Sequence, residues 1–381
     1  MKKITHSLIL VLNIISAAAL LFSYLAPLIN PANFVLPALF GLAYPYLLMI
    51  NMVFVLFWML HLKKEVLISL LVILIGWNHL NNLLPLSGKN HNVPETLNQE
   101  ELFKVLSYNV RGFDRYHHAK DPDAKNAIFN FISEESPAIL CLQEYYTSDR
   151  SGQRQADYDQ LLKPLKHSAV HYSNDPANRR GFGIATYSDF PIVKRSRIPF
   201  NSSSNAAMYT DHLVAGDTLR VFNIHLQSIM LRKENYDFID TARLKYSNEQ
   251  VQEIRSIGSS LSNAFVQRAS QADMIANYIQ ESPHPVLVMG DFNDTPQSYS
   301  YRKIRKGLKD AFRKAGKGFG HTYAGELPSF RIDYILTGEG MSTYNFRRIK
   351  KDCSDHFPIT CLVQFPEPKP VAEPEPEPSG Q

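Results

Sequence analysis

Hydrophobic and polar positions divide the chain into two regimes. From Ile4 to Leu62 there is no Lys, Arg, Asp or Glu. Two apolar blocks lie there, residues 7–26 and 36–60, separated by a polar break at Asn30, Pro31 and Asn33. Each reaches the roughly 20 residues that a helix needs to cross hydrocarbon. A cleaved signal peptide fits the first block less well, because its apolar stretch runs past the small residues at 16–19 and a second block follows. A third block, residues 66–84, follows Lys63-Lys64-Glu65 and is diluted at its end by Asn78, His79, Asn81 and Asn82. Residues 1–84 are expected to form a membrane anchor of about three transmembrane helices.

Beyond residue 84 the pattern changes. Residues 85–103 carry Pro, Gly, Asn and Glu without an apolar period and read as a linker. Over 104–365, short β-rich runs alternate with helical patterns. The expected strands are "KVLSYNV", "AILCLQE", "GIATYS", "LRVFNIHL", "PVLVMG", "IDYILT" and "ITCLVQF". Residues 124–133 and 264–281 keep one apolar face at helical spacing. The mixture predicts an α/β fold with layers of sheet and helix. A polar insertion occupies 229–263, long enough to be functional or disordered. The tail 366–381 is Pro/Glu-rich and is expected to be extended and unfolded.

Charge decides the side of the membrane. Lys2/Lys3 and Lys63/Lys64 are the cationic clusters near the spans, and the positive-inside rule places both in the cytoplasm. A third crossing then carries the soluble region outside; with two crossings it stays cytoplasmic. The net charge of +4 is too mild to imply nucleic acid by itself. Three cysteines, Cys141, Cys353 and Cys361, fit neither a disulfide framework nor a zinc motif. No segment points to a protein partner.

Candidate chemistry sits where apolar runs stop. Asn109 ends "KVLSYN" and Glu144 ends "AILCLQE". Asn223 and His225 lie two apart on one face of "LRVFNIHL". Asp291 and Asn293 follow "VLVMG", Asp333 precedes "YILT", and Asp355 and His356 precede the last strand. Each alone has a plain structural reading as turn, cap or core residue. Their recurrence at six strand ends is the signal, since α/β sheets carry their sites there. Carboxylates and amides suit a hard divalent ion such as Mg2+ or Mn2+. Two histidines suit proton transfer or stabilisation of phosphate charge. With no nucleophile-elbow serine or cysteine, water is the expected nucleophile. The set suits metal-assisted hydrolysis of a phosphate ester.

"SYNVRGF", "LCLQE", "NIHL", "GDFND", "RIDYIL" and "SDHFPI" come in an order that resembles the endonuclease/exonuclease/phosphatase superfamily, the DNase I-like fold. The resemblance implies a four-layered α/β sandwich with two central mixed β-sheets. It implies Glu144, Asn109 and Asp355 at a metal, and Asp291 with Asn293 on water and phosphate. It also implies His356, oriented by Asp333, and His225 at the phosphate. Asn109, Asn223 and Arg180 are the expected substrate contacts. The implied substrate is a phosphodiester, nucleic acid first and a phospholipid, sphingomyelin or phosphoinositide head group as the alternative. A third alternative is a non-catalytic membrane-bound binding module.

Overall fold

The computed structural model describes residues 3–85, 92–95, 97, 102–114, 123–173, 180–200, 205–229, 248–325 and 330–365. The tail 366–381, most of the 85–103 linker and residues 230–247 of the insertion lie outside the described residues.

Period-two alternation along the strands sends apolar side chains to opposite faces. One six-stranded sheet holds β1 (Leu102–Asn109), β2 (Ile139–Thr147), β3 (His167–Tyr172), β4 (Gly181–Ser188), β11 (Ser342–Arg348) and β12 (Ile359–Gln364), in the order β11-β12-β1-β2-β4-β3. The other holds β5 (Ile192–Ile198), β6 (Ala206–Val214), β7 (Asp217–His225), β8 (Val286–Asp291), β9 (Lys309–Asp310) and β10 (Asp333–Thr337), in the order β5-β6-β7-β8-β10-β9. Val105, Cys141 and Ile359 meet Val221, Leu287 and Met289 between the sheets. Leu106, Tyr108 and Leu142 point the other way, against α6 (Ala124–Glu135) and α7 (Gln155–Leu161). Val288 and Phe222 likewise pack outward, against α8 (Asn248–Gln280) and α9 (Tyr299–Ile304). The short α10 (Ala311–Ala315) packs beside β11. The result is the expected sandwich of helix, sheet, sheet and helix. In each sheet the central pair is parallel, β1 with β2 and β7 with β8, so both sheets present their strand C-termini at one end.

All seven expected strands form. Additional strands carry polar sequences that hid them. β6 reads "AAMYTDHLV" and is almost wholly buried, its Asp211 neutralised by a two-pronged ion pair from Arg220 at 2.7 and 2.8 Å. β5 contains the basic run "KRSR" and lies at the sheet edge, where charged residues are tolerated. The helix expected over 264–281 is the second half of the 33-residue α8, which extends back into the insertion. All three cysteines are buried and free, and burial pushes the Cys141 thiol up to about 12.

The apolar N-terminal blocks form five helices: α1 (Lys3–Ser23), α2 (Leu36–Leu42), α3 (Tyr44–Leu60), α4 (Val66–Ile75) and α5 (Trp77–Leu83). Among the described residues one helix, over Ile4–Ser23, is by itself long and apolar enough to cross a membrane. The spans expected over 36–60 and 66–84 are each a pair of helices bent at a break. α2 meets α3 at 65° and α4 meets α5 at 70°. Pro45 opens α3, where its missing N–H costs nothing. Gly76 separates α4 from α5 where Tyr24 presses so closely that a Cβ would lie 2.1 Å from its hydroxyl. The bundle interior is polar at its centre. Asn13 donates to Ser69 at 2.6 Å and accepts from Trp58 at 2.9 Å, while Ser69 donates to Asn51 at 2.7 Å. Such bonds fix the rotation of apolar helices that hydrophobicity alone would leave undetermined.

Candidate active site

Register builds the site. Across the second sheet, His225 pairs with Asp291, and Asp291 pairs with Asp333. Three strand ends therefore set a histidine and two carboxylates abreast. β8 can come this close only because residue 290 is glycine. At φ +145° it lies against β7, and a Cβ there would stand 2.0 Å from the carbonyl oxygen of Ile224. The chain then turns. The Asp291 carboxylate accepts from the backbone N–H of Asn293 at 2.7 Å, and Asn293 adopts φ 51°, which asparagine tolerates better than most residues.

Glu144 enters from the first sheet by a different device. β2 carries one extra residue between Leu142 and Tyr145 relative to β4, and Glu144 sits there at φ 50°. A bulge of this kind re-aims a side chain. Asn109 closes the gap between the sheets, donating to Glu144 at 3.2 Å and to Asp291 at 3.0 Å. His225 Nε2 lies 3.7 Å from both Glu144 and Asp291. His356 Nδ1 lies 3.0 Å from Asp333, and its Nε2 lies 3.7 Å from Asp291. Asp355 faces Arg111, whose Nε is 3.4 Å away.

The electrostatics separate these groups. Burial pushes the Glu144 carboxyl up, and the nearby Asp355 charge pushes the same way. Burial also takes Asp291 up to about 6, with Asp333 adding to the rise and His356 and His225 opposing it. Burial lowers His225. It acts against charge on His356 too, but Asp333 and Asp291 outweigh it and hold that ring well above its ordinary value. One histidine is thus kept neutral and the other cationic, on two sides of one carboxylate.

Two groupings could hold a cation. Asp291, Asp333 and His356 bring ligand atoms within 4.8 Å of one another. His356 Nδ1 already bonds Asp333 at 3.0 Å, so this trio reads as a hydrogen-bonded relay. Glu144 and Asp355 are mutually repelling carboxylates, Arg111 lies beside Asp355, Glu144 keeps 32% of its side chain open, and the Asn109 amide N–H orients it. Two such carboxylates fit a hard divalent ion.

Of the expected residues, Asn109, Glu144, His225, Asp291, Asn293, Asp333, Asp355 and His356 come together. Asn223 does not. It is fully buried between the sheets, receives a bond from Gln143 at 2.8 Å, and donates to the carbonyl oxygens of Ala185 and Leu142. It ties the sheets together and has no hydrogen free for a ligand. Arg180 pairs with Asp149 on the exposed rim and is also outside the cluster. Sequence reasoning missed Asn205, whose amide lies 3.2 Å from His225 Nε2, and Arg111. No apolar run ends at Asn205, so it gave no signal. Arg111 lies in a left-handed turn directly after β1, with φ 47°. Asp294, the next residue after Asn293, is buried and ion-paired to Arg268 of α8 at 3.2 Å.

The profile described as the Endonuclease/Exonuclease/phosphatase family matches residues 106–356, well over half of the chain. The chain belongs to that family. It is a metal-dependent phosphoester hydrolase. Residues 6–83 match a second profile, described as a domain of unknown function. No curated protein matches the chain. Among solved structures, an endonuclease/exonuclease/phosphatase from Beutenbergia cavernae superposes with TM-score 0.50 at 15% identity, covering 70% of this chain and 72% of that one. A family protein from Bacteroides thetaiotaomicron gives TM-score 0.49 at 17% identity, with 69% and 97% covered. Humanized TDP2 from D. rerio gives 0.49 at 18%, with 70% and 100% covered. At 15% identity the first likeness bears on fold alone, and nothing is drawn from the other two.

Proposed function

We propose that this family member is a membrane-integral phosphodiesterase using Mg2+ or Mn2+, in which water attacks phosphorus. The observation that carries the reading is the geometry around Asp291, whose carboxylate accepts from Asn109 at 3.0 Å and has the Nε2 of His225 and of His356 each 3.7 Å away. Asp291, held at the turn by the Asn293 N–H, takes the proton from the attacking water. His225 positions the phosphate, while the Asn293 amide, which donates to Asp291 at 3.2 Å and to the Leu226 carbonyl oxygen at 3.0 Å, holds the base in place. His356, kept cationic and oriented by Asp333, stabilises the charge that builds on the phosphoryl oxygens. Glu144 and Asp355 would hold the cation, with Asn109 orienting Glu144. When bound, it supplies Lewis-acid polarisation of the phosphoryl oxygen.

The detergent-solubilised full chain is expected to hydrolyse a generic aryl phosphodiester with Mg2+. Activity should fall at least about 10²-fold in EDTA and return on adding Mg2+. Turnover unaffected by EDTA would remove the metal from the reading.

The membrane reading rests on the helices and on polarity along the bundle. Leu8, Val11, Ile15, Met52, Val53, Leu56, Leu71 and Leu74 form an exposed apolar belt. At one end His6 pairs with Glu65 at 3.0 Å, next to Lys63 and Lys64. At the other end Asn30, His79 and Asn82 meet the catalytic domain. Counting each bent pair as one crossing gives three, and the positive-inside rule then sets the domain outside the cytoplasm. An alkaline phosphatase reporter fused after residue 365 should be active; inactivity there, with an active cytoplasmic reporter, rules out three crossings.

A further inference from the structure

The catalytic cluster does not open to bulk solvent alone. Above it lies a cavity of about 510 Å³. Its floor is Glu144, Asn293, Asp355 and His356. One wall comes from the bundle, through Leu39, Leu42 and Tyr46; the facing wall comes from Ile257 and Leu261 of α8. A site for a purely polar substrate has no need of two aliphatic walls.

The bundle wall is held in place by built contacts. His79 Nδ1 is 2.9 Å from the Gln297 side chain, and Arg331 donates to the Asn82 carbonyl oxygen at 3.0 Å. Gly41 of α2 packs so tightly that a Cβ would stand 2.7 Å from the Gln297 carbonyl oxygen. A separate observation comes from α8. Its apolar stripe does not stop at the cavity. Ile257 and Leu261 continue toward the helix N-terminus as Val251 and Ile254, which are 40% and 60% exposed on an otherwise polar stretch. These four positions, three or four apart, share one helix face. A stripe that leads from catalytic floor to exposed surface, beside helices with an apolar belt, describes a path for an acyl chain.

We propose that the substrate is an amphipathic phosphodiester of the bilayer, its phosphate on the catalytic floor and its hydrocarbon between α2 and α8. This rests on the phosphodiesterase reading above and names its substrate class. Hydrolysis adds water across one P–O ester bond: the hydroxyl goes to phosphorus and the departing oxygen leaves with a proton. The head group is left open by the cavity; the tail is what the walls select. Single-stranded nucleic acid is the competing substrate class.

The test uses alkyl p-nitrophenyl phosphates bearing methyl, octyl or hexadecyl chains, so that the leaving group is constant and no head group need be guessed. The full chain is reconstituted in phosphatidylcholine vesicles with Mg2+, and oligonucleotide cleavage is measured in parallel. The hexadecyl ester is expected to exceed the methyl ester in kcat/KM at least tenfold. Leu261→Glu, and independently Ile257→Glu, both at half-buried positions, should erase most of that preference. Equal rates for the three esters overturn the proposal, as does a tail preference that survives both variants, since mere partitioning into vesicles then explains it. Efficient oligonucleotide cleavage without tail preference assigns the competing class. Failure to cleave any ester or oligonucleotide overturns instead the phosphodiesterase reading beneath it.

Discussion

Asp291→Asn is expected to abolish hydrolysis and stabilise the protein in the same step. Loss of the proton acceptor should lower the rate by at least about 10³-fold. The stability gain follows from what folding does to this carboxyl. Burial raises it from 3.8 to about 6, so ionising Asp291 near neutrality is a cost borne by the fold. A group whose folded pKa is raised contributes most below its unfolded value, and that contribution is lost as pH rises through the folded value. The difference from 3.8 to about 6 corresponds to an upper bound of about 3 kcal/mol. Asparagine removes the titration while keeping the shape, although it gives up one acceptor for Asn109 and Asn293. The variant's advantage in thermal unfolding, measured in EDTA, should be small at pH 4, grow mainly between pH 4 and 6, and level off above. A difference that does not vary with pH would falsify the assignment of Asp291 as a strained base.

His356→Ala should lower kcat by about 10²–10³-fold with a smaller effect on KM, because its cationic ring acts on charge that develops during reaction. Asp333 acts through that ring and is a positioning residue, so its signature is a pH profile. The parent should lose activity on the acid side as Asp291 protonates near 6, and on the alkaline side only well above neutrality, where His356 loses its proton. Asp333→Asn removes the carboxylate that bonds Nδ1 at 3.0 Å. The His356 pKa then falls and the alkaline loss moves down toward neutrality, while the acid limb remains. An unchanged alkaline limb in Asp333→Asn rules out this partnership.

The strand ends were legible because apolar runs are easy to see and the polar residues ending them are not diluted by others. Depth was not. Asn223 and His225 do share a face of β7, as the period of two requires. His225 is the last residue and reaches the cleft, whereas Asn223, two positions earlier, is sealed between the sheets. Alternation reports the face of a strand and not the distance along it to the edge. Arg180 went astray for the opposite reason: it begins its strand beyond the cleft, where Asp149 takes it. Glu144 could be named but not explained, because its bulge depends on the register with β4, and register is a property of two strands. β6 escaped notice since Asp211 and Arg220, which read as surface charges, neutralise each other inside. The bends in the N-terminal helices and their contact with residues 295–297 are long-range packing, invisible to any local period.

The turn at 291–297 serves two neighbours. Its first residues, Asp291 and Asn293, face the cleft; its last, Gln297, grips α2 and His79. Seven consecutive positions are therefore under two unrelated sets of demands. A graft of this turn into a soluble relative would arrive with an unpaired glutamine and no helix to meet it. A change in α2 would be felt first at the turn. The N-terminal helices and the catalytic domain should accordingly be inherited as a unit, with substitutions at Gly41 and His79 tracking those at Gln297 across lineages.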